Sequence, residues 1–267
     1  MELTSKKVIG VGSPIIDLLA QVSEDFIQDI DGAKGGMELV NPQVMEALLS
    51  KIDVTPTRAP GGSAANTTFT LATMGMSAAF LGKLGEDVQG VFYHQAFEDC
   101  GGDSSRFKTT PDAPTARCLS LITPDSERTL RTDLGAAALL APEDISAADF
   151  EGYDHAHIEG YLLFNRDLAT TVLRAAKEGG CTVSLDLGAF EVVKAAEDIL
   201  PLLLENYVDA VFANEDEGEA YCDSKDPKDA LEALSKCCDL VAVKLGAEGA
   251  LLKYGNETCT VAATKVD

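Results

Sequence analysis

The sequence predicts an α/β fold: a three-layer α/β/α sandwich around a mostly parallel sheet, with a small β-sheet lid. Short β-branched runs alternate with amphipathic stretches, the pattern of consecutive βαβ units. Most of those runs are nearly continuous in apolar residues, as strands become when helices cover both sheet faces. Two segments, 15–40 and 115–134, break this rhythm and read as the lid.

The first strand candidate is Lys7–Gly12, and others follow at Ala78–Leu84, Ala156–Glu159, Thr182–Leu187, Val208–Ala213 and Leu240–Leu245. Helical patterns lie between them at Ala64–Met74, Val88–Cys100, Asp167–Glu178, Val192–Leu204, Glu215–Cys222 and Pro227–Lys236. Right-handed crossovers distribute those helices over the sheet. Within the second lid segment, Thr115–Thr123, the turn Pro124-Asp125-Ser126-Glu127 and Arg128–Leu134 read as a β-hairpin. Repeats, low-complexity tracts and linker-like stretches are absent, so 1–267 reads as one domain with its appendage.

Hydrophobic residues make up 46% of the chain, enough for a sizeable core. No apolar run approaches the roughly 18–20 residues of a membrane helix. Met1 to Lys7 lacks the features of a signal peptide, so a cytoplasmic location is expected. With 21 basic against 44 acidic residues the formal charge is −23, which opposes binding to nucleic acid or an anionic membrane. Seven cysteines form no CxxC pair and read as free thiols. His155 and His157 lack partners at zinc-ligand spacing.

Four stretches carry residue types suited to chemistry. Pro60-Gly61-Gly62-Ser63-Ala64-Ala65-Asn66-Thr67 opens a helix. Its glycines let a ligand approach the backbone, Ser63 is a candidate cap, and Asn66 offers a donor and an acceptor. The same stretch also reads as a plain loop-to-helix entry. Asp17 follows the first strand, where a carboxylate at the carboxyl end of an α/β strand faces the ligand crevice and suits a diol; a solvated turn aspartate is the other reading. Asn214 and Glu217 begin a helix after Val208–Ala213, suited either to capping or to holding the waters of a phosphate-bound Mg²⁺ ion. Finally, Lys244, Gly246 and Gly249 follow a strand and suit either a nucleotide's phosphates or a close-packed strand–turn–strand.

In this order and spacing the pieces resemble the ribokinase-like PfkB kinase superfamily. Gly61-Gly62 with Asn66 is similar to its first signature, and Leu81–Asp87 with Gly90 to its continuation. Asn214-Glu215-Asp216-Glu217 is similar to its NxxE motif, and Val243–Gly249 to its nucleotide-side strand and loop. Pro60–Asn66, Glu127–Leu130 and Leu134–Ala137 most resemble adenosine-kinase-like enzymes and related bacterial sugar kinases.

The resemblance implies ATP and Mg²⁺ as cofactors and phosphoryl transfer to a primary hydroxyl of a sugar or nucleoside. By the same resemblance Asp17, Gly61, Gly62 and Asn66 hold the substrate's hydroxyls, while Ile15, Cys118, Leu130 and Tyr161 wall the pocket. Lys244, Gly246 and Gly249 face the nucleotide, and Asn214 and Glu217 organise Mg²⁺ through water. The family's Gly-Ala-Gly-Asp segment, with its anion hole and catalytic aspartate, is expected just after Val266-Asp267 and does not occur in these 267 residues. No catalytic residue is therefore assigned within the chain. It reads as a kinase domain lacking its C-terminal segment and inactive alone, with a natural fragment as the alternative. A non-catalytic sugar- or nucleoside-binding protein is the rival function. A dinucleotide dehydrogenase is weaker, because Gly10-Val11-Gly12-Ser13-Pro14-Ile15 does not supply a GxGxxG fingerprint. The expected partner is a small molecule, and the chain is expected as a monomer or a lid-mediated homodimer.

Overall fold

The computed structural model describes residues 6–265, so the expectations attached to Val266 and Asp267 lie outside the described residues. In chain order the elements are β1 (Lys7–Val11), β2 (Ile15–Gln21), α1 (Glu24–Gln28), β3 (Met37–Leu39), α2 (Pro42–Lys51), β4 (Thr57–Gly61), α3 (Ser63–Thr73) and β5 (Ser77–Leu81). There follow β6 (Lys83–Gly85), α4 (Val88–Asp99), β7 (Lys108–Thr110), β8 (Ala116–Ile122), β9 (Arg128–Asp133), β10 (His155–Glu159) and α5 (Arg166–Glu178). The last are β11 (Thr182–Asp186), α6 (Phe190–Ala195), α7 (Leu200–Tyr207), β12 (Ala210–Asn214), α8 (Glu215–Cys222), α9 (Pro227–Leu234), β13 (Leu240–Lys244), β14 (Ala250–Tyr254) and β15 (Glu257–Val261).

The main sheet has eight strands in the order β15-β14-β13-β12-β11-β10-β1-β5. From β13 to β5 every pairing is parallel, and the two edge strands β14 and β15 turn antiparallel. Period-2 alternation sends Ile9, Val11, Ala156, Ile158, Val183, Leu185, Val211 and Val243 to one face, where they form a core with helices such as α5 and α7. The apolar stripe Leu168, Ala169, Val172, Leu173 and Ala176 seats α5 on that face. On the other face α3 lies against β1, and a Cβ at Gly10 would run into Thr68 and Phe80.

A second sheet of five strands runs β3-β9-β8-β2-β4. The hairpin read from 115–134 is its β8–β9 pair, antiparallel from Arg117↔Asp133 to Ile122↔Arg128. Ile16, Leu18, Ala20, Leu119 and Leu121 bury one face of it against Met45 and Leu48 of α2, in a core shared with Phe80, Tyr93 and Phe97.

The structure departs from the expected elements in several places, and α2, β7 and β14 are not among those expected. The single strand Ala78–Leu84 is broken into β5 and β6 at Gly82, where a side chain would strike Gly12 and Pro14. The single helix Val192–Leu204 is two helices, because Pro201 has no N–H to continue α6 and instead sits in the first turn of α7. Strand β4, at Thr57–Gly61, joins the second sheet in addition to 15–40 and 115–134; its proline and glycine masked it, and an edge position tolerates them. Strand β15 is exposed along its length and has no apolar face to betray it.

Candidate active site

Asp17 does not end a strand of the main sheet. It is the third residue of β2, in register with Ala59 of β4 and Cys118 of β8. The Gly12-Ser13-Pro14 turn passes the chain straight from β1 into the second sheet. The residues of β2 alternate, so Ile16 and Leu18 go to the core while Ile15 and Asp17 take the opposite face. Cys118 and Thr132 continue that face across the sheet, with the Thr132 hydroxyl 3.3 Å from Cys118 Sγ. Burial raises the Asp17 carboxyl above the usual carboxylate range, with Arg128 pulling it the other way.

This face looks onto a cleft of about 410 Å³ between the second sheet and the carboxyl end of β10. Ser13, Ile15, Ser63 and Glu159 line it, together with an apolar wall that includes Met37, Leu39, Leu134, Leu162 and Phe164. Tyr161 lines it too. Cys118 and Leu130 share the face through register with Asp17 and Met37, but neither they nor Asp17, Gly61, Gly62 and Asn66 belong to the cleft lining.

Gly61 and Gly62 carry the chain from β4 into α3. Gly62 has φ +107° and is itself the N-cap of α3, its carbonyl accepting from Asn66 N–H at 2.9 Å. Ser63, read as the cap, instead occupies the first helical turn and faces the cleft. The N-cap offers no side chain to the first-turn N–H groups of α3, and the Ala64 N–H turns to the Glu159 carboxylate. A Cβ at Gly61 would run into the Asp17 carboxylate, and one at Gly62 into the Ser13 carbonyl oxygen. Gly62→Ala is therefore expected to cost about 1–3 kcal/mol in urea unfolding. The same change at Gly75, φ +84° but with nothing within 4 Å, is expected to cost less because it adds no collision. Asn66 is exposed one turn into α3.

Glu159, which the sequence reading passed over, closes the floor of the cleft. It is 2% exposed, its Oε1 accepts from Ser13 N–H at 3.0 Å, and its Oε2 has no partner. Burial pushes its carboxyl up to about 7. A glutamate ending an apolar parallel strand, just before Gly160, was the available signal.

Beside it the ends of β11 to β13 bring Asp186, Asn214 and Lys244 together, with Lys244 Nζ 2.9 Å from Asp186 Oδ2. Asn214 and Glu217 form a reciprocal capping box. Asn214 N–H and Nδ2 donate to the two Glu217 oxygens at 2.8 and 2.9 Å, and Glu217 N–H donates to Asn214 Oδ1 at 2.8 Å. Glu217 is buried, which raises its carboxyl, and each of its oxygens already accepts one hydrogen bond within the capping box. Among the described residues no group of three or more His, Cys, Asp or Glu is arranged to hold a metal ion directly. Gly246 and Gly249 form the tight turn to β14 at φ +53° and +101°, and a Cβ at Gly249 would strike Val261 of β15. Close strand packing accounts for Gly249.

Comparison with known proteins finds relatives along most of the chain. The pattern of the pfkB family carbohydrate kinases matches residues 46–267. An ATP-dependent ribose-1-phosphate kinase from Halopiger xanaduensis is 30% identical over 198 residues, covering 71% of this chain and 60% of its own length. The adenosine kinase of Saccharomyces cerevisiae is 26% identical over 229 residues, 81% of this chain and 66% of that one. The chain thus spans under two thirds of the length of either relative. The crystal structure of adenosine kinase from Sinorhizobium meliloti superposes with a TM-score of 0.86 at 30% identity, over 98% of this chain and 81% of that one.

Proposed function

This chain belongs to the pfkB family of carbohydrate kinases, and we propose that its cleft binds a nucleoside for ATP-dependent phosphorylation of the primary hydroxyl. The observation that carries the nucleoside reading is the division of the cleft into a polar end and an apolar wall. Ser13, Ser63 and Glu159 at the polar end, with Asp17 on the adjoining sheet face against the Gly61–Gly62 turn, suit the hydroxyls of a ribose, since a carboxylate accepts from two adjacent hydroxyls at once. Met37, Leu39, Leu162 and Phe164 suit the faces of a flat base. A free sugar carries hydroxyls all round and would leave that wall unmatched.

In this reading the second sheet is the lid, and its closure excludes water that would otherwise accept the phosphoryl group. On the nucleotide side Lys244 contributes positive charge, and Asn214 and Glu217 hold the waters of a magnesium ion. When bound, that ion supplies neutralisation of the phosphate charge. Asp17 and Glu159 are assigned to hydroxyls. The proton-abstracting carboxylate belongs to a Gly-Ala-Gly-Asp segment that residues 1–267 do not contain.

Calorimetric titration with adenosine and with ribose tests the acceptor class. Adenosine is expected to bind at least about tenfold more tightly, a difference of about 1.4 kcal/mol. Tighter binding of ribose would overturn the nucleoside reading, and binding of neither would overturn the assignment of the cleft. ADP release on mixing with ATP and adenosine, measured on a protein that carries the Gly-Ala-Gly-Asp segment, separates a kinase from a binding protein.

A further inference from the structure

We propose that Tyr93, on α4 and outside the cleft, is a positioning residue for acceptor binding, acting through a hydrogen bond to the Gly61–Gly62 turn. This rests on the assignment of the cleft to an acceptor. Tyr93 is 0% exposed, and its hydroxyl donates to the Gly61 carbonyl oxygen at 2.8 Å. Its ring is fixed edge-on between Phe69 and Phe107, at 5.6 and 5.8 Å between centroids. Apolar packing alone would be met by phenylalanine; the phenol is there for the carbonyl.

The bond sits where several functional groups depend on one peptide. The Gly61 α-carbon lies against the Asp17 carboxylate, with no room for a Cβ between them. The next residue, Gly62, caps α3 with its backbone at a positive φ and presses on the Ser13 carbonyl, whose own N–H holds Glu159. In a planar trans peptide the carbonyl and the following N–H point opposite ways. Anchoring the Gly61 carbonyl on Tyr93 therefore sets the direction of the Gly62 N–H, together with the start of α3. Two glycines in succession have no side chain to hold that plane, and each is conformationally permissive. Burial, then the nearby Glu159 and Asp17 charges, hold the phenol well above its ordinary range, so it stays a donor at neutral pH.

Tyr93→Phe keeps the ring and removes the donor, so the buried Gly61 carbonyl loses its hydrogen bond from α4. In the 267-residue chain the dissociation constant for adenosine is expected to rise about tenfold, with hydrogen exchange across residues 57–66 accelerated and that of α5 unchanged. Phe107→Leu disturbs the same aromatic cluster but spares the phenol; it is expected to lower Tm while leaving adenosine affinity within about twofold. Equal affinity and equal exchange in wild type and Tyr93→Phe would overturn the positioning role while leaving the acceptor assignment intact. If Phe107→Leu weakens binding as much as Tyr93→Phe, Tyr93 acts only through packing and the proposal falls. If the unmodified chain binds no adenosine, the acceptor reading fails, and unchanged exchange at 57–66 would then dismiss the tether as well.

Discussion

Replacing Asp17 with alanine is expected to weaken nucleoside binding by at least about a hundredfold, roughly 2.7 kcal/mol. Two hydroxyls donating to one ionised group justify that size, since hydrogen bonds to charged groups contribute about 1.5–3 kcal/mol each. Stability should not fall alongside. Burial already raises the Asp17 carboxyl, so its ionised form costs the folded state at neutral pH. The alanine variant should unfold at the same or a higher urea concentration while losing affinity in calorimetry. Affinity within about threefold of wild type would remove Asp17 from the site.

Glu159→Gln is expected to separate stability from binding through pH. The carboxyl titrates near 4.5 when free and near 7 in the fold, because burial disfavours its charge. A group raised in the folded state contributes stability that is complete below about pH 4.5 and is lost as pH rises through 7. The interval corresponds to about 3 kcal/mol at 1.36 kcal/mol per unit. Wild type should therefore lose that amount relative to Glu159→Gln between pH 4.5 and pH 8, read from urea midpoints at both values. Binding should run the other way: wild-type affinity for adenosine rises as Glu159 ionises through pH 7, and the glutamine variant is weaker and flat. Parallel stability curves for the two proteins would show that Glu159 does not titrate in this window.

The parallel sheet was legible because burial on both faces leaves its strands with continuous apolar runs such as Ala210–Ala213 and Leu240–Val243. Strand β4 was not, since Pro60 and Gly61 read as punctuation, and β15 was not, since a fully exposed edge has no alternation to detect. At the site, Asp17 stood out as a carboxylate after the first strand, but its address was misread. The Gly12-Ser13-Pro14 turn looks like a strand end, whereas the chain resumes as β2 one turn later. The paired glycines were legible as a close-approach turn; that Gly62 rather than Ser63 caps the helix depends on a backbone angle that composition does not reveal. Asn214 and Glu217 were legible as a capping pair, and that is how they are hydrogen-bonded. Glu159 was hidden because one acidic residue closing an apolar run looks like its boundary. Tyr93 was hidden because an aromatic on a helix between Phe92 and Phe97 looks like core.

The order in which the strands of the second sheet meet has a kinetic consequence. Its central pair joins Ile15 to Ala116, about one hundred residues apart along the chain, while only β8 and β9 are neighbours in sequence. Loop closure over that distance is entropically costly, whereas a hairpin forms locally. The hairpin can thus assemble early and wait. Strand β2, with Asp17, is expected to join it after α3, β5 and α4 have shortened the path between them, which pulse-labelled hydrogen exchange of β2 against β8 and β9 would read. Binding competence is accordingly a late event in folding: a nascent or misrouted chain can own most of its secondary structure and still lack a place for the ligand.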